Sequence, residues 1–133
     1  QKLHGLTSAN YYRDAISSAA AETGFQHVRI ISDDVNTARA VLATTGLSRH
    51  LKVDFGAIQS LHADFQDLAC SACVVMSNSS FSWWSAFISE KLHNSFVIAP
   101  RPWLAVETGV EQVLLNPKWM IMKRELVERR VAG

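Results

Sequence analysis

The stretch that decides the fold is Asn78-Ser79-Ser80-Phe81-Ser82-Trp83-Trp84-Ser85-Ala86-Phe87. Before it, Val74–Ser77 is a short run rich in β-branched residues, which predicts a buried strand. From Phe81 onward, apolar residues recur at helical spacing, namely Phe81, Trp84, Ile88 and Leu92. We therefore expect the chain to change from strand to helix within this stretch, and the helix to extend to Leu92.

Small polar residues stand at this strand-to-helix turn. Asn78, Ser79 and Ser80 carry side-chain oxygens of the kind that cap helices. The first turn of a helix also presents backbone N–H groups and the positive end of the helix dipole, and both favour a phosphate group. The residues alone leave two interpretations open, which are an ordinary capped helix with its tryptophans in the core and a phosphate-binding turn.

The composition is that of one globular domain. The chain has 133 residues, of which 48% are hydrophobic and 19% are charged, so it can bury a core and differs from a disordered chain. The formal net charge is +1 and no basic block stands out, which argues against a nucleic-acid partner. No apolar run approaches the roughly 20 residues that cross a membrane, and we expect no signal peptide.

The two cysteines, Cys70 and Cys73, have the C-x-x-C spacing found in zinc sites and redox pairs. A zinc site needs two more ligands, and the five histidines form no recognisable metal pair. A redox pair usually lies at the start of a helix, whereas these residues fall late in a predicted one. We therefore expect buried, reduced thiols.

Strands and helices alternate along the chain. We expect strands at 28–32, 51–55, 74–77 and 96–99, and helices at 10–23, 35–45, 63–72 and 81–92. Pro100 and Pro102 should close the last of these strands. After them we expect a helical stretch at 107–115, a break at Asn116-Pro117 and a charged terminal helix at 123–130.

This alternation predicts a doubly wound α/β domain, with a mainly parallel sheet and helices on both faces. Ligands of such sheets bind beyond the carboxyl ends of the strands. Two polar segments follow predicted strands and are candidates for that position, Ser32-Asp33-Asp34 and Asn78-Ser79-Ser80. No G-x-G-x-x-G or Walker sequence is present, so the common nucleotide-binding signatures are absent.

Five segments, in the right order, resemble the α-1,2-fucosyltransferase family. They are His4-Gly5-Leu6 with Tyr11-Tyr12, Ser32-Asp33-Asp34, the Asn78–Phe87 stretch preceded by Asp64, Ile98–Trp103, and Pro117-Lys118-Trp119. The most characteristic is Asn-Ser-Ser-Phe-Ser-Trp-Trp. The family usually continues it with Gly-Ala-Trp-Leu, whereas this chain has Ser85-Ala86-Phe87-Ile88.

The resemblance implies a Rossmann-like domain over residues 1–133, half of a GT-B-type arrangement, that binds GDP-fucose for inverting transfer to a sugar hydroxyl. The residues that it assigns to the nucleotide-sugar are Asp33, Asp34, Asp64, Asn78, Ser79, Ser80 and Phe81. By resemblance, the two serines and Phe81 contact the diphosphate and the Asp33-Asp34 pair lines the cleft. Asp64 reads the guanine edge, with Asp67 as the alternative.

Each aspartate also has a purely structural interpretation. Asp33 and Asp34 fit a cap and first-turn acid of the second helix, and Asp64 fits the amino-terminal turn of the next one. We expect Trp83 and Trp84 to pack the motif helix onto the sheet, and His4 to lie at the surface. The resemblance implies no metal or other cofactor, and its partners are a GDP-sugar and a glycan acceptor.

The family's His-x-Arg-Arg-Gly-Asp motif, which belongs just upstream of His4, is not in this sequence. We therefore expect a domain truncated at its amino terminus, and whether it is an enzyme stays open. The alternative to a transferase domain is an inactive stand-alone module that binds nucleotide or protein. No catalytic base can be named. We also expect self-association through the truncated sheet edge and a cytoplasmic location, or the Golgi lumen for a eukaryotic parent.

Overall fold

The computed structural model describes residues 6–55, 59–104, 114–124 and 126–127. Strands and helices alternate through most of this part of the chain. In chain order its elements are β1 (Leu6–Thr7), α1 (Ala9–Thr23), β2 (His27–Arg29), α2 (Val35–Ala43), a 3₁₀ turn (Leu47–Arg49), β3 (Lys52–Asp54), α3 (Leu61–Ala69), β4 (Cys73–Val75), α4 (Ser80–His93), β5 (Phe96–Arg101), β6 (Met120–Lys123) and β7 (Leu126–Val127).

The parallel strands form two small sheets. Strands β2 and β3 pair with Val28 opposite Val53. Strands β4, β5 and β6 form a three-stranded sheet in that order, with Ile98 of β5 between Val75 and Met120. Helix α2 connects the first parallel pair and α4 connects β4 to β5, so each is a strand–helix–strand unit. The fold is therefore the predicted mixed α/β, Rossmann-like arrangement, with β1 and β7 added as an antiparallel pair.

Helices cover both faces of the three-stranded sheet. Successive side chains of a strand point to opposite faces, so each strand supplies two surfaces. One buried cluster joins Ala86 of α4 to the sheet residues Val74, Met76, Val97 and Ala99. The cluster on the other face joins Ile98 to the α1 residues Tyr11, Ala15 and Ala19. Helices α1 and α4 thus lie on opposite faces, as predicted.

The last part of the fold differs from the prediction. Strand β5 does not close at Ala99 but continues to Arg101, with Pro100 opposite Met122 of β6. Proline has no N–H for a neighbouring strand, but β4 pairs with β5 only as far as Ile98, so Pro100 has a paired strand on one side alone and can stay in β5. The helix expected at 123–130 is wrong over the described residues, because Lys123 ends β6 and β7 follows. Residues 105–113 and 128–133, with most of the predicted 107–115 helix, lie outside the described chain.

The predicted burial of the two cysteines is wrong, because α3 begins and ends earlier than expected, whereas their reduced state is confirmed. Ser60 caps this helix by accepting the Ala63 N–H at 3.1 Å, and the helix ends at Ala69. Cys70 is consequently an exposed turn residue, and Cys73 is a half-buried residue of β4. Both thiols are reduced, and burial raises the pKa of Cys73 to about 11.

Tyr11 ties α1 to the end of β4, and its hydroxyl provides a first prediction. The side chain is 1% exposed and donates to the Met76 carbonyl at 2.7 Å. Burial raises the pKa of this hydroxyl above its ordinary value, so it stays a donor. Tyr11→Phe leaves a buried carbonyl unsatisfied and should lower the free energy of unfolding by about 1–3 kcal/mol. Urea unfolding measures this loss, and a change below about 0.5 kcal/mol would contradict it.

Candidate functional site

The turn between β4 and α4 is held by a cluster of serine hydroxyls. Ser79 is the helix cap, with an extended backbone (φ −112°, ψ 152°), and its Oγ accepts the Ser82 N–H at 3.1 Å. The Ser77 Oγ lies 3.1 Å from the Ser79 Oγ and 2.8 Å from the Ser82 Oγ. These contacts confirm the predicted capped start of the helix and fix the direction of its first turn.

This cap leaves two backbone donors at the start of α4 without a partner. The first N–H groups of a helix have no acceptor within the helix. The hydrogen bonds of the described chain include none from the N–H of Ser80 or of Phe81. Ser80 is exposed, and the basic residues Lys91 and His93 stand at the opposite end of the helix. The turn therefore presents two N–H groups and a positive dipole end to an anion.

Asn78, the residue before the cap, has both ends of its amide bonded within the protein. Its Nδ2 donates to the Trp103 carbonyl at 3.3 Å. Its Oδ1 accepts the Thr7 hydroxyl, also at 3.3 Å. The structure therefore places Asn78 as a link between the turn and two distant segments, and its assignment to the nucleotide-sugar by resemblance stays a prediction.

An aromatic contact brings α3 beside the first turn of α4. The rings of Phe65 and Phe81 meet edge to face with centroids 5.6 Å apart. Asp64 precedes Phe65 in α3, so the predicted guanine-reading residue stands on the helix that adjoins the turn. The side chain of Phe81 is therefore used for packing, whereas its N–H is one of the two unpaired donors.

A shared amide connects the two candidate carboxylates. Gln59 Nε2 donates to Asp64 Oδ1 at 2.9 Å and to Asp67 Oδ2 at 2.7 Å. Arg29, the last residue of β2, places its Nη1 3.5 Å from the same Asp67 Oδ2. Asp67 is thus engaged by a cation and an amide through one oxygen. Asp64, by contrast, accepts the Gln59 amide through Oδ1 and forms no ion pair within the described residues.

The other polar segment, after β2, serves mainly as a helix cap. Asp34 accepts the Thr37 hydroxyl at 2.6 Å and the Thr37 N–H at 3.0 Å, and these bonds lower the pKa of the carboxyl. The Ser32 hydroxyl accepts the Asp34 N–H at 3.1 Å. Asp33 is exposed. Within the described chain, no hydrogen bond or ion pair joins either aspartate to the α4 turn, so their link to a nucleotide stays a prediction.

The paired tryptophans have different roles. Trp83 stacks on Phe87 with centroids 5.3 Å apart, meets the Trp119 ring, and donates from Nε1 to the Leu114 carbonyl at 2.7 Å. Trp84 is 53% exposed. The packing role is therefore confirmed for Trp83 and wrong for Trp84, because Trp84 faces away from the sheet.

Arg124, which no sequence pattern marked as a site residue, is 2% exposed. Its guanidinium donates to the carbonyls of Pro102 and Trp103 and to the Thr7 hydroxyl. No signal could have found it, because Arg124 belongs to a charged segment that predicted an exposed terminal helix. Its burial depends on the pairing of β6 with β5.

No helix of the described residues is both long and apolar enough to span a membrane. In the same parts of the chain, no group of three or more histidine, cysteine or acidic side chains is arranged to hold a metal ion.

Comparison with known proteins identifies the family. The profile of glycosyl transferase family 11 matches residues 1–123. An alpha-1,2-colitosyltransferase of Escherichia coli is 28% identical over 106 residues, which are 80% of this chain and 36% of that relative. The chain therefore spans little more than a third of that relative's length. No solved structure matches the chain significantly. The resemblance seen in the sequence is confirmed: the chain belongs to glycosyl transferase family 11.

Proposed function

We propose that this chain is the donor-binding domain of a glycosyltransferase and that it binds GDP-fucose at the first turn of α4. One observation carries the proposal. The N–H groups of Ser80 and Phe81 are unpaired at a capped helix start that follows the carboxyl end of a parallel strand. Nucleotide phosphates favour that position in α/β sheets.

The same turn supplies the chemistry of group transfer. When the bond between the sugar and the diphosphate breaks, negative charge develops on the GDP leaving group. The N–H groups of Ser80 and Phe81 and the dipole of α4 stabilise that charge without needing to rearrange, since the serine cluster already fixes them. We propose that an acceptor hydroxyl attacks from the opposite side, so that transfer proceeds with inversion and without a metal.

We assign the guanine edge to Asp64. Guanine presents two adjacent N–H donors, and a carboxylate can accept both through its two oxygens. Asp67 is less suited because its Oδ2 already holds Gln59 and Arg29. The sugar is proposed from the family resemblance, and the relative's name specifies colitosyl transfer for that protein.

Calorimetric titration with GDP, GDP-fucose and ADP, in the absence of metal, tests the proposal. We expect saturable binding of both guanine nucleotides and at least tenfold weaker binding of ADP. Adenine lacks the two adjacent N–H donors of guanine, so a carboxylate that binds guanine would have no hydrogen-bond partner on adenine. No heat with any nucleotide, in a sample shown to be folded by circular dichroism, would contradict the proposal. That result would favour the protein-interaction module.

Substitution of each carboxylate in turn tests which aspartate binds the guanine base. Asp64→Asn should weaken GDP binding about tenfold or more, because the loss of a charged acceptor costs about 1.5–3 kcal/mol and 1.4 kcal/mol is tenfold. Asp67→Asn is the matched control on the same helix and should change GDP affinity less than about threefold. If only Asp67→Asn weakens binding, Asp67 reads the base and the assignment is wrong.

Three further expectations stay predictions from the sequence. They are self-association of the chain, a cytoplasmic location and binding of the donor without a cofactor.

A further inference from the structure

The buried guanidinium of Arg124 is the most unusual polar group in the described chain. The residue follows β6 and is 2% exposed. Its Nε donates to the Pro102 carbonyl, its Nη2 to the Trp103 carbonyl at 3.0 Å, and its Nη1 to the Thr7 hydroxyl at 3.3 Å. A charge is retained in such a place only when the surrounding acceptors compensate for lost water.

Arg124 shares two of its partners with Asn78. The Thr7 hydroxyl, which accepts from Arg124, donates to Asn78 Oδ1 at 3.3 Å. The Trp103 carbonyl, which also accepts from Arg124, accepts Asn78 Nδ2 at 3.3 Å. These four residues form a closed hydrogen-bonded ring, which we call the Arg124 ring. It joins β1, the segment after β5, the end of β6 and the entry to α4.

The Arg124 ring holds the chain at the point where the proposed phosphate turn begins. Asn78 directly precedes the Ser79 cap and is two residues from the unpaired N–H of Ser80. On the strand side of the turn, the Tyr11 hydroxyl holds the Met76 carbonyl at 2.7 Å. The backbone entering α4 is therefore anchored by contacts from several elements.

We propose that Arg124 is a positioning residue, which acts through Thr7, Trp103 and Asn78 to aim the N–H groups of Ser80 and Phe81 at the donor diphosphate. This inference rests on the proposed function and adds the device that sets its geometry. A rigid turn binds phosphate without first ordering itself, and a loosened turn loses affinity for the diphosphate alone. The expected signature is therefore a change in how much the diphosphate contributes to binding.

The experiment measures the dissociation constants of guanosine and GDP, because the guanosine value divided by the GDP value measures how much the diphosphate contributes to binding. Thr7→Val removes the bridging hydroxyl of the ring at nearly constant volume and keeps Arg124. It should weaken GDP binding about 3- to 10-fold, as expected for one lost hydrogen bond, and leave guanosine binding within about twofold. Thr23→Val is the control, since it removes a threonine hydroxyl bond at the end of α1, to the Ala19 carbonyl.

The Arg124→Lys variant tests whether Arg124 acts through the geometry of its hydrogen bonds or through its positive charge. Lysine keeps the positive charge but cannot reproduce the planar fork that reaches three acceptors. The ratio should fall in Arg124→Lys as it does in Arg124→Gln, whereas Lys123→Gln, an exposed change on the neighbouring residue, should leave it unchanged. If the Arg124 variants fail to fold, Thr7→Val alone decides.

Two results would overturn the inference. A wild-type ratio in folded Thr7→Val would show that the ring does not aim the turn. A wild-type ratio in Arg124→Lys would show that charge, and not position, is what matters. Absence of GDP binding by the unmodified chain would overturn the proposed function as well, so the two failures are distinguishable.

Discussion

Trp83→Ala is expected to lower the free energy of unfolding by about 3 kcal/mol, the lower end of the range for removing an aromatic side chain from a core, because Trp83 is half-buried. The indole lies between Phe87, on which it stacks, and Trp119, and it packs against the cluster that joins α4 to the sheet. Its Nε1 also donates to the Leu114 carbonyl at 2.7 Å. Alanine removes the packing and the hydrogen bond together.

Trp84→Ala is the matched control, because the same atoms are removed from the next residue of the same helix. Trp84 is 53% exposed, so its loss should cost less than about 1 kcal/mol. Urea unfolding followed by circular dichroism measures both variants. Equal losses, or a larger loss for Trp84, would contradict the placement of α4 on the sheet, since that placement decides which tryptophan is covered.

Ser80→Pro should weaken GDP binding about 10- to 100-fold without destabilising the protein. Ser80 is the first residue of α4, where proline is well tolerated because its missing N–H has no partner in the helix. The preceding residue, Ser79, already has the extended backbone that proline requires before it. The substitution therefore deletes the N–H that we propose binds the phosphate, while the helix is retained. A bond to a charged group contributes about 1.5–3 kcal/mol, and 1.4 kcal/mol is tenfold.

Ser80→Ala is the control for this substitution, because it removes the hydroxyl and keeps the N–H. Its GDP affinity should lie between that of the unmodified chain and that of Ser80→Pro. Calorimetry gives the affinities, and thermal unfolding shows whether the helix is retained. Wild-type affinity in a folded Ser80→Pro variant would exclude the N–H of Ser80 from the site.

The sequence predicted those features that depend on neighbouring residues. The strand-to-helix change at Ser79 was visible because cap and apolar period lie within one short stretch, and the structure places the cap there. The prediction of a terminal helix at 123–130 was wrong because the structure there depends on residues that are distant in the sequence. Lys123 lies in β6, where it pairs with Arg101 of β5. This pairing with a distant strand overrides the helical preference of the local charged segment.

Within the site, too, the features set by neighbouring residues were predictable and those set by distant residues were not. The two unpaired N–H groups follow from the cap, so local sequence was enough to predict them. The contacts of Asn78 were not predictable, since Thr7 lies 71 residues away along the chain. Arg124 and Thr7 are 117 residues apart. A buried arginine in a charged segment leaves no periodic signal, and only the folded chain shows that it bonds to Thr7, Pro102 and Trp103.

The central claim is that the first turn of α4 binds the diphosphate of a guanine nucleotide. Its most direct test is an amide NMR titration of the ¹⁵N-labelled chain with GDP, and with ADP as the control. We predict saturable shifts that are largest at the N–H groups of Ser80 and Phe81, with ADP much weaker. Saturable GDP binding that leaves both amides unmoved, or no saturable shift in the folded chain, would contradict the claim.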